Sequence, residues 1–208
     1  MRAALPPAFY DRDVVEVARD LVGCVLVHGE TAGRIVETEA YHESEPACHG
    51  FRGPRATPGP TARTQALFGP PGRAYVYRSY GIHALLNAVC EPEGVAAAVL
   101  VRAIEPTAGL DVIRARRRGR PDRELTSGPG RLTLALDVEL DLDGSDLQHG
   151  PLRILPPDED DRPVRLVDGE RIGITKAVEL PWRFADASST HVSRPWPPGM
   201  ARPRAGTR

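Results

Sequence analysis

The pattern of apolar and polar residues divides the chain into short elements. In "YDRDVVEVARDLVG", acidic residues at the start, apolar residues at helical spacing and Gly23 as a stop predict a helix over residues 13–21. "CVLVHG" and "GRIVETEAY" read as paired strands, a hairpin turning around Gly29 to Gly33. Residues 44–72 hold too much Gly and Pro for regular structure and predict a long functional loop. In "RAYVYRSYGIHALLNAV", alternation puts Tyr75 and Tyr77 on one strand face, and "RSYG" makes a turn with Tyr80 near its apex. "VAAAVLVRAIEP" predicts a mostly buried strand and "AGLDVIRARRR" a helix; "SGPGRLTLALDV" predicts another, with Ser127 as its cap and Pro129 in its first turn. "VRLVDGERIGITKAV" predicts a late hairpin. Residues 1–194 then form one domain, and residues 195–208 a basic, poorly ordered tail. Strands and helices are interspersed, but the close hairpins favour a single α+β domain over a doubly wound sheet.

The hairpin strand "RIVETEAYHE" carries two glutamates. Strand alternation places Glu37, Glu39 and Tyr41 on one face, with Val36, Thr38 and Ala40 on the other. Carboxylates two positions apart on a strand are about 7 Å apart at the backbone, a spacing that would suit a glycosidase pair. Such pairs usually come from different elements, so one glutamate in a site with the other in support fits better. Two surface carboxylates remain the bland alternative.

Charge distribution sharpens that choice. The 208 residues carry a net charge of −1, with 41 % hydrophobic and 26 % charged residues, ordinary for a globular chain able to bury one core. Between Glu45 and Glu91 there is no acidic residue, yet Arg52, Arg55, Arg63, Arg73 and Arg78 fall there, and "RARRRGRPDR" follows later. Acidic residues gather between positions 137 and 168. Such segregation permits one basic face on a near-neutral protein. Tyr41, Tyr75, Tyr77 and Tyr80 sit close to the basic loop, and aromatic faces among arginines suit stacking on nucleobases. An aromatic at a hairpin tip is placed to wedge into a base stack. Cys24, Cys48 and Cys90 lack disulfide or zinc spacing and read as reduced thiols. A metal held by Glu39, His42 and His49 has no recognised spacing, so no metal is expected. No membrane-length apolar run or export signal is present, which predicts a cytoplasmic protein.

Five blocks, "GRIVETEAY", "EPACHGFRG", "LFGPPGRAYVYRSYGIHALLNAVCEPEG", "AVLVRAIEP" and "ELTSGPGRLTLAL", occur in an order that resembles the alkyladenine (3-methyladenine) DNA glycosylase family, the type without a helix-hairpin-helix. The resemblance implies a monomeric base-excision repair enzyme acting on double-stranded DNA at the nucleoid. It would flip a damaged purine from the duplex and cut its N-glycosidic bond, without metal or redox cofactor. It also implies a curved, mainly antiparallel sheet with flanking helices. Carried over residue by residue, Glu39 would activate the attacking water, held by Arg102 and the main-chain carbonyl of Ile172. Tyr41, His49 and Tyr77 would stack around the flipped base, Asn87 would sit at the pocket floor, and Tyr80 would fill the gap left in the duplex. Lys176 is the only lysine, which points to hydrolysis without a Schiff base. Ala62, Thr64, Ala84 and Cys48 depart from the family pattern, in positions expected to touch DNA or the pocket. Two other classes stay in view: a damaged-DNA binding module without catalysis, and a carbohydrate-active enzyme.

Overall fold

The computed structural model describes residues 2–51, 53, 59–158 and 160–200. Arg52 and Arg55 of the basic loop, and residues 201–208 of the expected tail, lie outside the described residues. The elements run α1 (Pro7–Tyr10), α2 (Val14–Asp20), β1 (Val25–His28), β2 (Thr31–His42), β3 (Ala74–Ser79), β4 (His83–Val89) and β5 (Ala97–Ala108), then α3 (Leu110–Arg117), α4 (Pro129–Leu136), β6 (Leu152–Leu155), β7 (Leu166–Gly169) and β8 (Arg183–Asp186). The strands form one curled antiparallel sheet in the order β3-β4-β5-β2-β1-β6, with β8 joining β2 and β7 joining β8. This is the α+β domain expected from the hairpins.

Local chemistry accounts for the early elements. Asp13 caps α2 by accepting from the amides of Val15 and Glu16 at 2.9 and 3.1 Å, and Val14, Val17 and Ala18 turn inward. Gly23, at φ 103°, ends that segment in a conformation that L side chains rarely adopt. One sheet face packs on α2, α3 and α4 through Ala40, Val76, Leu86, Val99 and Val101, which share a core with Val17, Ile113 and Leu132. The opposite face of β3, β4, β5 and β2 is left for other use.

Long β2 changes partners midway. β5 pairs along its whole length on one edge, whereas the other edge pairs first with β1, at residues 31–34, and then with β8, at residues 37–39. Of three register shifts in the β2–β5 ladder, one falls between Ala32 and Gly33 and two fall between Ile35 and Thr38, where that switch occurs. The irregularity breaks strict alternation: Ile35 and Ala40 belong to the main core, but Val36 packs with Ala103, Ala185 and Val192 in a separate cluster. Val36, expected beside Thr38 and Ala40, is therefore not part of their core cluster.

Three further expectations are corrected. Ser127 does not cap α4; Gly128, at φ 130°, is the N-cap, and the Ser127 hydroxyl pairs with Arg131 Nη1 at 3.2 Å. No strand forms in "RIGITKAV". β7 pairs instead with β8, because Gly173 and Ala177 have positive φ, and Arg171 turns inward to an ion pair with Glu45. Finally, residues 195–200 of the expected tail are docked on the sheet. Trp196 and Met200 pack on the Val36 cluster, and the Pro195 carbonyl accepts from Arg183 Nη1 at 2.8 Å. Among the described residues, no helix is long and apolar enough to cross a membrane.

Candidate active site

β2, β5 and β8 bring four charged side chains together out of water. Side-chain exposure is 0 % for Glu37 and Glu39, 6 % for Arg102 and 3 % for Arg183. Arg102 bridges the carboxylates, with Nε 2.9 Å from Glu37 Oε1 and Nη1 3.1 Å from Glu39 Oε2. Glu37 also accepts from Arg183 Nε at 2.7 Å, and from the Ser193 amide and hydroxyl at 2.7 and 2.8 Å. Buried charges persist only when paired and hydrogen-bonded, and this cluster sums to zero. Glu37, expected as a supporting residue paired to an arginine, lies between two.

Glu39 has different company. Its Oε1 accepts the Ile172 amide at 2.7 Å, and its Oε2 accepts the Tyr41 hydroxyl at 2.8 Å beside Arg102. Burial raises its proton affinity above that of an ordinary carboxylate, while Arg102, the Ile172 amide and Tyr41 pull the other way. All three of these partners are donors, which suits the ionised form. Oε2 has two donors and Oε1 one, so Oε1 keeps a lone pair for a further partner.

Over this array lies a cavity of about 540 Å³ on the sheet face opposite the α2 and α3 core, where Leu67 of a short 3-10 helix, Ala66–Phe68, helps to line it. Tyr41, Arg102 and Ile172 line it, so three neighbours of Glu39 form its wall although Glu39 itself does not. Alternate positions of adjacent strands supply the base: Tyr75, Tyr77 and Ser79 from β3, Leu85 and Asn87 from β4, and Ala98, Leu100 and Arg102 from β5. Tyr75 and Tyr77 stack at 5.2 Å, and the His49 ring stands edge-on to Tyr77 at 4.6 Å. His49 Nδ1 is 3.0 Å from the Tyr75 hydroxyl. Its pKa is lowered, by burial and then by Arg63, which favours the neutral ring. Burial pushes Tyr77 up to about 12, so its hydroxyl stays protonated. The Asn87 amide is fixed from behind, donating to the Tyr75 carbonyl at 3.0 Å. The Arg63 guanidinium lies 5.4 Å over Tyr77 at the rim.

Tyr80, at the β3–β4 turn, is 93 % exposed. Its φ of 50° is a left-handed conformation that is uncommon for a bulky residue and characteristic of functional sites. On the far rim Pro129 and Gly130 open α4. Nearby arginines crowd one another: Arg117 is shifted down by partial burial, then by Arg131 and Arg120. Arg117 and Arg120 thus lie near Arg131 of α4, whereas Arg114 and Arg116 are paired with Asp122 and Asp137.

All eight residues singled out from the sequence are therefore in or beside one site. Arg171, Glu45, Arg183 and Ser193 were missed. Arg171 is sandwiched over Tyr41 and Trp182, at 4.7 and 5.4 Å, and its Nη1 meets Glu45 at 2.7 Å. That pair joins the loop carrying His49 to the segment carrying Ile172. The carboxylate contacts that place them span 126 residues for Arg171 with Glu45, 146 for Arg183 with Glu37 and 156 for Ser193 with Glu37, so no local pattern marks them. Of the departures from the family pattern, Cys48 lines the cavity, but Ala84 packs on the core and does not. Thr64 is buried and accepts the Thr61 amide at 2.9 Å, whereas Ala62 is exposed. All three cysteines are free and buried.

Residues 8–190 match the model of the family described as methylpurine-DNA glycosylase. Relatives named provisionally as 3-methyladenine DNA glycosylases are similar over nearly the whole chain. One from Methanoculleus marisnigri is 50 % identical, covering 91 % of this chain and 98 % of its own length. One from Nitrosospira multiformis is 47 % identical, covering 94 % and 97 %. One from Carboxydothermus hydrogenoformans is 44 % identical, covering 91 % and 98 %.

Proposed function

The chain belongs to the methylpurine-DNA glycosylase family, and on that premise we propose that it flips alkylated or deaminated purines from duplex DNA and hydrolyses their N-glycosidic bond, leaving an abasic site. The observation carrying this reading is the buried, charge-balanced Glu39 array beneath an aromatic cavity. Taking two carboxylates out of water is costly, and such arrangements concentrate at functional sites. A binding module without catalysis has no use for a carboxylate that is 0 % exposed beneath its cavity, whereas a hydrolase does.

In the proposed reaction a water reaches Glu39 Oε1 from the cavity side, held by Arg102 and the Ile172 carbonyl. Glu39 takes its proton as the oxygen attacks C1′, the C1′–N bond breaks, and the base leaves with the bonding electrons. The negative charge also stabilises the oxocarbenium-like carbon in the transition state. Tyr77 and Tyr41 stack on the flipped base; stacking on Tyr77 displaces Arg63 from that ring. His49, neutral, adds no positive charge against a cationic alkylated purine. Asn87 stands at the floor, where it disfavours the exocyclic amino group of normal guanine. A cationic base departs without further protonation, whereas hypoxanthine must gain a proton, so its release depends more on pH. Lys176 is exposed and is not among the residues lining the cavity, which supports hydrolysis without a Schiff base. The enzyme is read as a cytoplasmic monomer working on nucleoid DNA, with the arginine cluster beside α4 on the phosphates.

Tyr80 is the proposed wedge. Replacing it with glycine separates strain from function. Relief of a left-handed residue is worth about 1 kcal/mol, and the added chain entropy of glycine costs about as much. Tyr80→Gly should therefore melt within a few degrees of wild type, while base release falls by roughly ten- to a hundredfold, the loss of 1.4–2.8 kcal/mol from a flipped state costing a few kcal/mol. Calorimetry and single-turnover excision on one preparation check both.

The test of the function itself is single-turnover base release from two duplexes, one with a deoxyinosine and one methylated. Release from both, with no enzyme–DNA adduct trapped by borohydride, is the expected result. Salt-sensitive binding without release from either would replace the glycosylase with a damage-binding module.

A further inference from the structure

The site contains a charged side chain that does not line the cavity and is paired to Glu37, although it stands opposite Glu39 in the β2–β8 ladder. Arg183 of β8 lies behind Glu37, with its Nε on Glu37 Oε1 at 2.7 Å. Its Nη1 and Nη2 donate to the carbonyls of Pro195 and Ser193, at 2.8 and 3.0 Å. We propose that Arg183 is a positioning residue of the reaction: it balances Glu37, so that Arg102 is free to neutralise Glu39 and keep it ionised. The proposal rests on the reading of Glu39 as the base.

Counting charges shows why. Within this pocket of low dielectric, Glu37 and Glu39 are two negative groups, and Arg102 is the one cation in contact with both. With Arg102 alone the set would carry a net negative charge, and a proton on Glu39 would be the cheapest way to remove it. Arg183 brings the set to zero. No other described cation could substitute. Arg171 comes near, 4.7 Å over the Tyr41 ring, but its charge is matched by Glu45 at 2.7 Å. The other groups facing Glu39 are the Ile172 amide, the Tyr41 hydroxyl on its own strand, and Tyr77 on β3, all neutral.

Docking of residues 193–195 is part of the same device. Ser193 gives Glu37 its amide and hydroxyl while its carbonyl, with that of Pro195, anchors Arg183. The junction of the domain with its expected tail therefore orients the balancing cation.

The prediction concerns the acidic limb of the pH–rate profile for single-turnover excision of a cationic base. Arg183→Met leaves one net negative charge beside Glu39, stabilises its protonated form, and so moves the limb to higher pH, by about one unit. At the wild-type midpoint the rate then falls several-fold, while at high pH it recovers. Arg183→Lys keeps the charge and should hold the limb near its wild-type position. Glu37→Gln removes a negative charge and should move it to lower pH. The double variant Glu37→Gln/Arg183→Met is again neutral and should bring it back.

A merely structural role would lower the rate at every pH and would gain nothing from the second substitution. If Arg183→Met does not fold, the displacement between Glu37→Gln and the double variant measures the same charge. A limb that stays in place in the folded variants, or a double variant shifted as far as Arg183→Met, would overturn the proposal and leave Glu39 as the base. A wild-type profile without any acidic limb would overturn both, by removing the base itself.

Discussion

Glu39→Gln should slow base release by about 10²- to 10⁴-fold, the range expected when a general base is lost, while damaged DNA is still bound. Glutamine has nearly the shape of glutamate. With its carbonyl at the Oε2 position it still accepts from Arg102 and Tyr41. The Ile172 amide then loses its acceptor, at a cost of about 1–3 kcal/mol, which a folded domain of this size tolerates. The cavity walls, Tyr77 and His49 in particular, do not depend on that charge. The pH dependence makes the prediction stricter. Burial raises the Glu39 pKa, so the wild-type rate should decline as pH falls through a value above the ordinary carboxylate range. The residual rate of the glutamine variant should lack that decline. Single-turnover rates measured from pH 5 to 9, beside binding isotherms, provide both readings. A variant that releases base at the wild-type rate would sink the assignment.

Arg102→Met should be the most destabilising single change at the site. Breaking a buried ion pair by removing one partner costs about 3–5 kcal/mol, because the carboxylates left behind are 0 % exposed. At about 2–4 °C per kcal/mol for a chain of this size, the melting midpoint should drop by some 6–20 °C. The sign of the pH effect is a further check. With Arg102 gone, the folded-state proton affinity of Glu39 rises further above that of the unfolded chain. The folded form then binds more protons, and its stability grows as pH falls through that window. Warming scans from pH 8 down to pH 5 should therefore show the gap to wild type closing. A gap that is constant with pH would mean that lost packing, rather than unpaired charge, causes the damage. Excision should also fail at neutral pH, since a protonated Glu39 cannot take a proton from water.

Much of the site was legible along the chain because strand geometry is a local property with a period of two. Tyr75 and Tyr77, Glu37 and Glu39, and Tyr80 at a turn could each be placed from their neighbours alone, and the cavity floor extends that alternation through Leu85, Asn87, Leu100 and Arg102. The α2 cap at Asp13 was equally local. Val36 was misplaced because a register shift between two strands depends on the partner, which one strand does not encode. The late hairpin was misread for the same kind of reason. "RIGITKAV" has the composition of a strand, but Arg171 gains more from Glu45, Tyr41 and Trp182 than from a ladder.

The amino-acid sequence by itself determined the hairpins, the amphipathic helices, the aromatic and basic segments and the family to which they belong, since each rests on periodicity or on residues close in the chain. Only the tertiary structure decided which charges cancel. Glu37 meets Arg102 and Arg183 at separations of 65 and 146 residues, and Glu39 meets the Ile172 amide at 133. Electrostatic energy in a buried site depends on distance in space and on the exclusion of water. Neither is set until the sheet has curled and residues 193–200 have closed over it.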